Sequence, residues 1–404
     1  MNPRRNWKIW ILGLTILFWL SGYWFIYDGW WHRHLLKFTV LPTVLVQLPA
    51  LWKTARTHRW LQVVTVLLLY QAASRLWADS TPRLDGSLVD TLFVLLLLIS
   101  LIHLAQNDTS FTRWFTLIIT VISCFTTIVS LATFYSLYSL ADDRFRNIYV
   151  YETGLNPVLT GLLCGFGAIC TCSLLCLSQK HSSKQNLLWQ LAITIQVFGL
   201  FATQSRTAMI ALMIGVAVLL FFHRRQVLVF LSPVIIGIVT HTVLLAFIPG
   251  GNSAVSDLVE RGSTGRVEIY KSFLKDMSTK DALIGKGMGA PSTLAEDLLG
   301  WHVAHPHSSY LTQYYLTGII GTGLLGWLLY QALRSGCRQA QAHAGRSVWL
   351  ALFLGNAVAL AVDGGQFFSL HSIPRIEFLL VVLPAVIVCS LPLSEDERSE
   401  ILAT

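Results

Sequence analysis

Apolar stretches, each near the roughly 20 residues that a helix needs to cross a hydrocarbon core about 30 Å thick, alternate with short polar joints along the whole chain. They lie near 8–27, 35–52, 60–77, 88–105, 114–139, 157–178, 187–205, 207–222, 227–248, 308–333, 347–363 and 375–393. The run Gln190–Phe222 would span about 50 Å as one helix, too long for a single crossing, and is read as two spans with a tight turn at Thr203–Thr207. The pattern predicts an all-α integral membrane protein of about twelve transmembrane helices, one polytopic domain over residues 1–404. One polar segment of any size interrupts it, 249–307. Within it Ser256–Met277 reads as partly helical, with Tyr270, Phe273, Leu274 and Met277 at helical spacing, before Gly285, Gly287, Gly289 and Pro291 break the pattern.

Composition strengthens this picture. The chain is 54% hydrophobic and 12% charged, whereas soluble domains carry about 25% charged residues. Such a chain cannot cover a water-facing surface. The formal net charge of +8 is explained by inside loops and anionic lipid headgroups before nucleic acid is invoked. With the N-terminus inside, 15 Lys/Arg fall in inside segments, 8 at short outside segments and 6 in the long loop. This bias predicts cytoplasmic termini and an outside 249–307 loop. Arg4, Arg5 and Lys8 precede an apolar run without a small-residue cleavage site, which reads as an uncleaved first span. Of the seven cysteines, Cys164, Cys170, Cys172 and Cys176 share one apolar segment, and no disulfide framework or metal spacing follows.

Three polar groups on the outside carry candidate chemistry. In Thr203-Gln204-Ser205-Arg206-Thr207, Arg206 is either a snorkelling helix-end arginine or a cavity arginine that pairs with an anion. In Arg261-Gly262-Ser263-Thr264-Gly265-Arg266, two arginine forks, two glycines and two hydroxyls match a phosphate, against a reading as solvated loop charge. Gly285-Lys286-Gly287-Met288-Gly289 lacks the ending of a P-loop. In Trp301-His302-Val303-Ala304-His305-Pro306-His307-Ser308, three histidines invite a zinc reading, but no HExxH and no completing cysteine or carboxylate accompany them. A neutral histidine there suits a general base for a hydroxyl. Asp363, near the end of an apolar span, is a fourth candidate, able to orient a histidine or balance an arginine. Arg75 and Arg83 would add a further phosphate contact. Together these groups suit an anionic lipid-linked substrate.

At these residues the chain resembles the O-antigen ligase and polymerase superfamily of membrane glycosyltransferases. The resemblance rests on Ser205-Arg206-Thr207-Ala208 at a helix boundary, Gly265-Arg266 in the loop, and His305-Pro306-His307-Ser308-Ser309-Tyr310-Leu311 at its end. It covers residues from about Asn156 to the C-terminus, and the first spans by hydropathy alone; Ser308 stands where many members have Asn. It implies a GT-C-like helical architecture with one large periplasmic loop in the bacterial inner membrane, the site facing the periplasm. The implied donor is an undecaprenyl-pyrophosphate-linked glycan and the implied acceptor a sugar hydroxyl of lipid A–core, with membrane lipids as surroundings, no nucleic acid, no cofactor and no metal. His307 would take the proton, Arg206 and Arg266 would hold the pyrophosphate, and Arg261, His305, Asp363 and Arg75 would line the substrate site. The short 141–156 segment favours a ligase over an O-antigen polymerase, since polymerases often have two sizeable outer loops. A chain ending about a dozen residues after its last span argues against a protein oligosaccharyltransferase. A lipid-linked glycan transporter would instead call for mid-bilayer polar groups and inverted repeats, which the sequence lacks. The topology is checked by placing a single reactive cysteine at Ser292 in a cysteine-free background. Labelling from the periplasm is expected, and labelling from the cytoplasm alone would invert the map.

Overall fold

A computed structural model describes residues 7–26, 29–78, 84–107, 109–137, 144–146, 156–176, 183–224, 227–247, 265–290, 305–368 and 375–393. These residues form helices and the turns between them, with no strand among them. Six helices are long and apolar enough to cross a membrane, and a seventh crossing is made if the bent pair Gly29–Val46 and Leu48–Thr57 counts as one. Arg206–Phe222, Leu231–Phe247 and Phe378–Ser390 are shorter apolar helices. We number the helices α1 (Trp7–Ser21), α2 (Gly29–Val46), α3 (Leu48–Thr57), α4 (Arg59–Ser74), α5 (Leu84–Asn107), α6 (Thr109–Leu137), α7 (Pro157–Cys176), α8 (Ser183–Ala202), α9 (Arg206–Phe222), α10 (Val227–Phe247), α11 (Arg266–Lys275), α12 (Thr279–Ile284), α13 (Ser309–Ala342), α14 (Ser347–Val362) and α15 (Phe378–Ser390).

The second stretch departs from the expected straight span over 35–52. The chain bends by 83° between α2 and α3. Gln47 breaks the helix and its side-chain amide donates to the Lys8 carbonyl at 2.8 Å. Pro49, in the first turn of α3, has no N–H to continue the ladder.

Close packing of α9 on α14 sets the geometry of the site. Lipid supplies no hydrophobic drive between helices, so close approach through small residues takes its place. Ala211 and Gly215 on α9 meet Ala351 and Gly355 on α14. A Cβ at Gly355 would lie 2.4 Å from the Ala211 carbonyl oxygen. The two helices are antiparallel in chain order, so the N-terminus of α9, carrying Arg206, and the C-terminus of α14, carrying Asp363, share one end of the bundle.

α13 runs for 34 residues, about 51 Å as helix, beyond the expected 308–333 and longer than one crossing. It breaks at Gly318 (φ 61°, ψ −163°). The break frees carbonyls that hydrocarbon could not satisfy. Groups outside α13 satisfy them instead: from the loop, Lys286 N–H donates to Tyr315 O (2.9 Å) and Gly287 N–H to Leu316 O (3.0 Å); from α4, Tyr70 Oη reaches Thr317 O (3.3 Å) as well as Ile284 O of the loop (3.0 Å). Gly285 (φ 80°) and Gly318 lie backbone to backbone, where a Cβ on either would come within 2.4 Å of the other segment. Lys286 also pairs with Asp276 at 2.9 Å, and Asp276 accepts from the Tyr315 hydroxyl. The polar segment is thereby pinned to the helical body. Its helix begins at Arg266, and it buries Ile269 and Phe273, with Tyr270 and Met277 partly covered; Leu274, expected on the same face, is 48% exposed. The remainder of the expected 249–307 loop, including Ser256–Ser263, lies outside the described residues.

Gly318→Ala and Gly355→Ala should each cost about 1–3 kcal/mol through backbone strain and overpacking respectively. Gly323, which has nothing within 4 Å of an added Cβ, provides the control. Thermal unfolding in detergent should show lowered midpoints for the first two and none for Gly323→Ala; equal midpoints for all three would remove the packing account.

Candidate active site

The turn between α8 and α9 is built from its own side chains. Thr203 Oγ1 donates to Leu200 O (2.6 Å) and accepts from Ser205 N–H (3.3 Å). Gln204 takes a left-handed conformation (φ 50°), costly for a residue with a Cβ and held here by its surroundings. Ser205 caps α9 by accepting from Ala208 N–H at 3.3 Å. Arg206 is therefore the first helical residue, exposed, at the positive end of the helix dipole. Arg144 braces the turn from another part of the chain, donating through Nε to Thr203 O (3.0 Å) and through Nη2 to Gln204 O (3.4 Å). Asn156 caps α7 beside it, its Oδ1 accepting from Val158 N–H at 2.8 Å.

The second half of the site comes from the start of α13. Ser308 caps this helix by accepting from Leu311 N–H at 3.3 Å, so the serine preserves the capping an asparagine would give. His307, just before the cap, is also left-handed (φ 53°). Its amide donates to His305 Nδ1 at 3.1 Å, and the two imidazole rings lie 4.6 Å apart. Gly364 packs against Ser309, where a Cβ would lie 2.4 Å from the hydroxyl, and this brings Asp363 beside His307.

Asp363 joins the parts. Its Oδ2 accepts from Arg266 Nη2 at 2.9 Å, and its Oδ1 lies 3.5 Å from His307 Nδ1. It is the C-cap of α14, where the helix dipole disfavours a carboxylate; the arginine offsets both that and the burial of a side chain only 9% exposed. A cavity of about 280 Å³ opens beside it, lined by Arg144, Asn156, Gln204, Ser205, Arg206, Thr207, Arg266, His307 and Asp363, with Pro157, Val158 and Ile269. Three arginines and one carboxylate share this lining. An imidazole oriented by a carboxylate is the arrangement that removes a proton from a hydroxyl.

Burial, with His307 and Arg375 nearby, pushes the His305 imidazole down to about 4, against a smaller opposing pull from Asp363. Burial raises the Tyr270 phenol, with the charge of Arg266 pulling it down and that of Asp363 pushing it up. Among the described residues no three His, Cys, Asp or Glu side chains gather to hold a metal ion.

Of the residues named from the sequence, Arg206, Arg266, His307 and Asp363 line this one cavity. His305 lies directly behind His307. Arg75 follows α4 and is not in the cavity lining; it adjoins Ser74, whose Oγ accepts from Met288 N–H at 3.0 Å. Arg261, Arg83 and His302 lie outside the described residues. Gln204 belongs to the candidate Thr203–Thr207 turn, while Arg144 and Asn156 line the cavity without having stood among the candidates. The one signal for them was Arg144 in an outside segment followed by Asn156-Pro157 before an apolar run, a capping pattern.

Fold and site together define a multi-pass helical membrane protein with an arginine-lined polar cavity at one end of its bundle. Residues 191–326, a third of the chain, match the family described as O-antigen ligase. The matched segment contains Arg206, Arg266, His305 and His307, whereas Arg144 and Asp363 lie outside it. No curated protein matches the chain.

The neutral state of His305 has a consequence for stability. Its folded pKa lies below the ordinary 6.5, so between pH 6.5 and about 4 the unfolded chain binds a proton that the folded one refuses. Stability from this group is full above pH 6.5 and falls as pH drops through that window. Thermal midpoints from pH 7.5 to 4 should decline less for His305→Asn than for the parent protein; parallel declines would mean that His305 is solvated.

Proposed function

We propose that this chain is an O-antigen ligase of the bacterial inner membrane, with about twelve spans, cytoplasmic termini and its cavity facing the periplasm. It would transfer a glycan from undecaprenyl pyrophosphate to a sugar hydroxyl of lipid A–core. The observation that carries this reading is the Asp363 bridge, which brings the Gly265-Arg266 and His305–Leu311 motifs of the matched segment together in the cavity that Arg206 lines.

In the proposed reaction the acceptor hydroxyl attacks the anomeric carbon of the donor. A C–O bond forms to the acceptor oxygen, and the C–O bond to the pyrophosphate breaks with its electron pair. A sugar hydroxyl is too weak an acid to ionise beforehand, so the proton leaves during attack, to a nitrogen of His307. Asp363 would fix the ring and stabilise the imidazolium that forms. Arg206, Arg266 and the N-terminal dipole of α9 would stabilise the negative charge that grows on the leaving pyrophosphate. The donor's own pyrophosphate supplies the activation, so neither ATP nor a metal enters the scheme. Direct displacement inverts the anomeric centre. Arg144, which holds the turn and lines the cavity, would position Arg206, and Arg75 and Arg261 would contribute outer phosphate contacts.

Transfer between purified lipid-linked glycan and lipid A–core in liposomes provides the test. His307→Ala should abolish transfer while donor binding persists, and His305→Ala should retain measurable turnover. Arg206→Ala and Arg266→Ala should each lose on the order of 10²-fold or more, with lysine restoring part of it because the bidentate fork is lost. Near-normal transfer by the His307 variant at saturating donor would remove the base from this scheme. A product formed on a second lipid-linked glycan instead of on lipid A–core would make the protein a polymerase, and donor movement without covalent change would make it a transporter.

A further inference from the structure

A second, more apolar groove lies at the opposite end of the bundle from the candidate site. It measures about 810 Å³, nearly three times the polar cavity at about 280 Å³. Its walls are α3, α4 and α5, with Leu51, Leu61, Leu92, Leu95, Leu96 and Ile99 facing into it. Its end of the bundle is fixed by contacts. Thr54 on α3 hydrogen bonds to His103 near the end of α5 at 3.2 Å, and His58 reaches the Cys389 carbonyl at the end of α15 at 3.2 Å. These are the helix ends remote from Arg206, His307 and Asp363. Along α5 the groove is lined from Ile99 to Leu92, seven residues or about 10 Å, a third of a hydrocarbon core about 30 Å thick.

α3 is what makes this groove more than a gap between spans. It leaves α2 at 83° and so runs across the end of the bundle. Leu51 and Thr54 are buried, while Trp52, Lys53 and Arg56 are exposed. That is the make-up of a helix lying in the membrane interface, apolar side down, aromatic and basic groups at headgroup depth. Trp52 and Arg56 line the groove mouth, with the guanidinium 4.7 Å from the indole centroid. Lys53 and Arg59 are exposed on either side of Arg56 along the chain. None of the three cations has an acidic partner among the described residues. Arg56 at the mouth, Lys53 and Arg59 close to it along the chain, and an apolar slot below complement one chemistry, an anionic headgroup carrying an acyl chain.

We infer that α3, α4 and α5 form a binding site for an anionic diacyl phospholipid in the leaflet opposite the candidate active site, with one acyl chain in the groove and the headgroup phosphate at Arg56, Lys53 and Arg59. Each basic group should favour the anionic headgroup by about fivefold. The site shares no residue with the cavity at the other end, so its test does not depend on transfer activity.

The purified full-length protein is titrated in detergent with phosphatidylglycerol and with phosphatidylcholine of identical chains, and bound lipid is counted by native mass spectrometry. A phosphatidylglycerol with a diazirine midway along one chain then maps the contact. Phosphatidylglycerol should be retained severalfold over phosphatidylcholine and should crosslink within Leu92–Ile99. Lys53→Gln, Arg56→Gln and Arg59→Gln should each lower phosphatidylglycerol retention by about fivefold and leave phosphatidylcholine unchanged. Leu96→Trp, which fills the slot, should remove the crosslink. Equal retention of the two lipids, or crosslinks spread evenly over the lipid-facing helices, would overturn the proposal. Displacement of phosphatidylglycerol by equimolar undecaprenol would also overturn it, since the slot would then favour a polyisoprenyl chain.

Discussion

One carboxylate at the end of one helix ties the candidate site together. Asp363 stands where the α14 dipole opposes its charge and where little water reaches it. A cation is therefore required beside it, and Arg266 provides it from a segment that is not part of the helical body. The same carboxylate leaves its other oxygen for His307. Loop docking, imidazole orientation and arginine placement thus depend on one group. The break in α13 serves the same end. Its freed carbonyls are taken by the loop backbone at Lys286 and Gly287, which holds the loop close enough for Arg266 to reach Asp363.

The helical body supplies the other half of the placement. Small residues on α9 and α14 bring those helices into backbone contact, so Arg206 and Asp363 are fixed to the same end without long side chains between them. The α8–α9 turn then carries its strain at Gln204, and the α13 start carries its own at His307. Both left-handed residues line the cavity. Strain held at a site by surrounding packing is what preorganisation costs, and it places donors and charges before any ligand arrives.

Much of this was legible from residue patterns. Apolar runs separated by short polar joints gave the helical membrane class, because lipid permits few alternatives to a helix. Arg206, His307 and Asp363 were legible because charged or titratable groups at the margin of apolar helices are costly and need a reason, and Arg266 because it closes the arginine- and glycine-bearing run Arg261–Arg266. Arg144 and Asn156 were not, since their role depends on a short segment folding back onto the α8–α9 turn, a long-range contact with no local period. The bend at Gln47 was hidden for a related reason: hydropathy averages over Leu45–Leu51 and does not register one amide bonding to Lys8. Leu274 was placed on the buried face by spacing alone. Ile269 took that role because the docked face of α11 is set by α13 and Phe273.

The central claim is that Asp363, Arg266 and His307 act as one unit, and a double-mutant cycle measures this most directly. Transfer is followed in liposomes for Asp363→Asn, Arg266→Ala and the double variant, with thermal midpoints confirming the fold of each. The account predicts that each single change costs on the order of 10²-fold in turnover and that the double variant loses little more than either alone. Losses that multiply, or an Asp363→Asn protein that turns over at the parent rate, would contradict it.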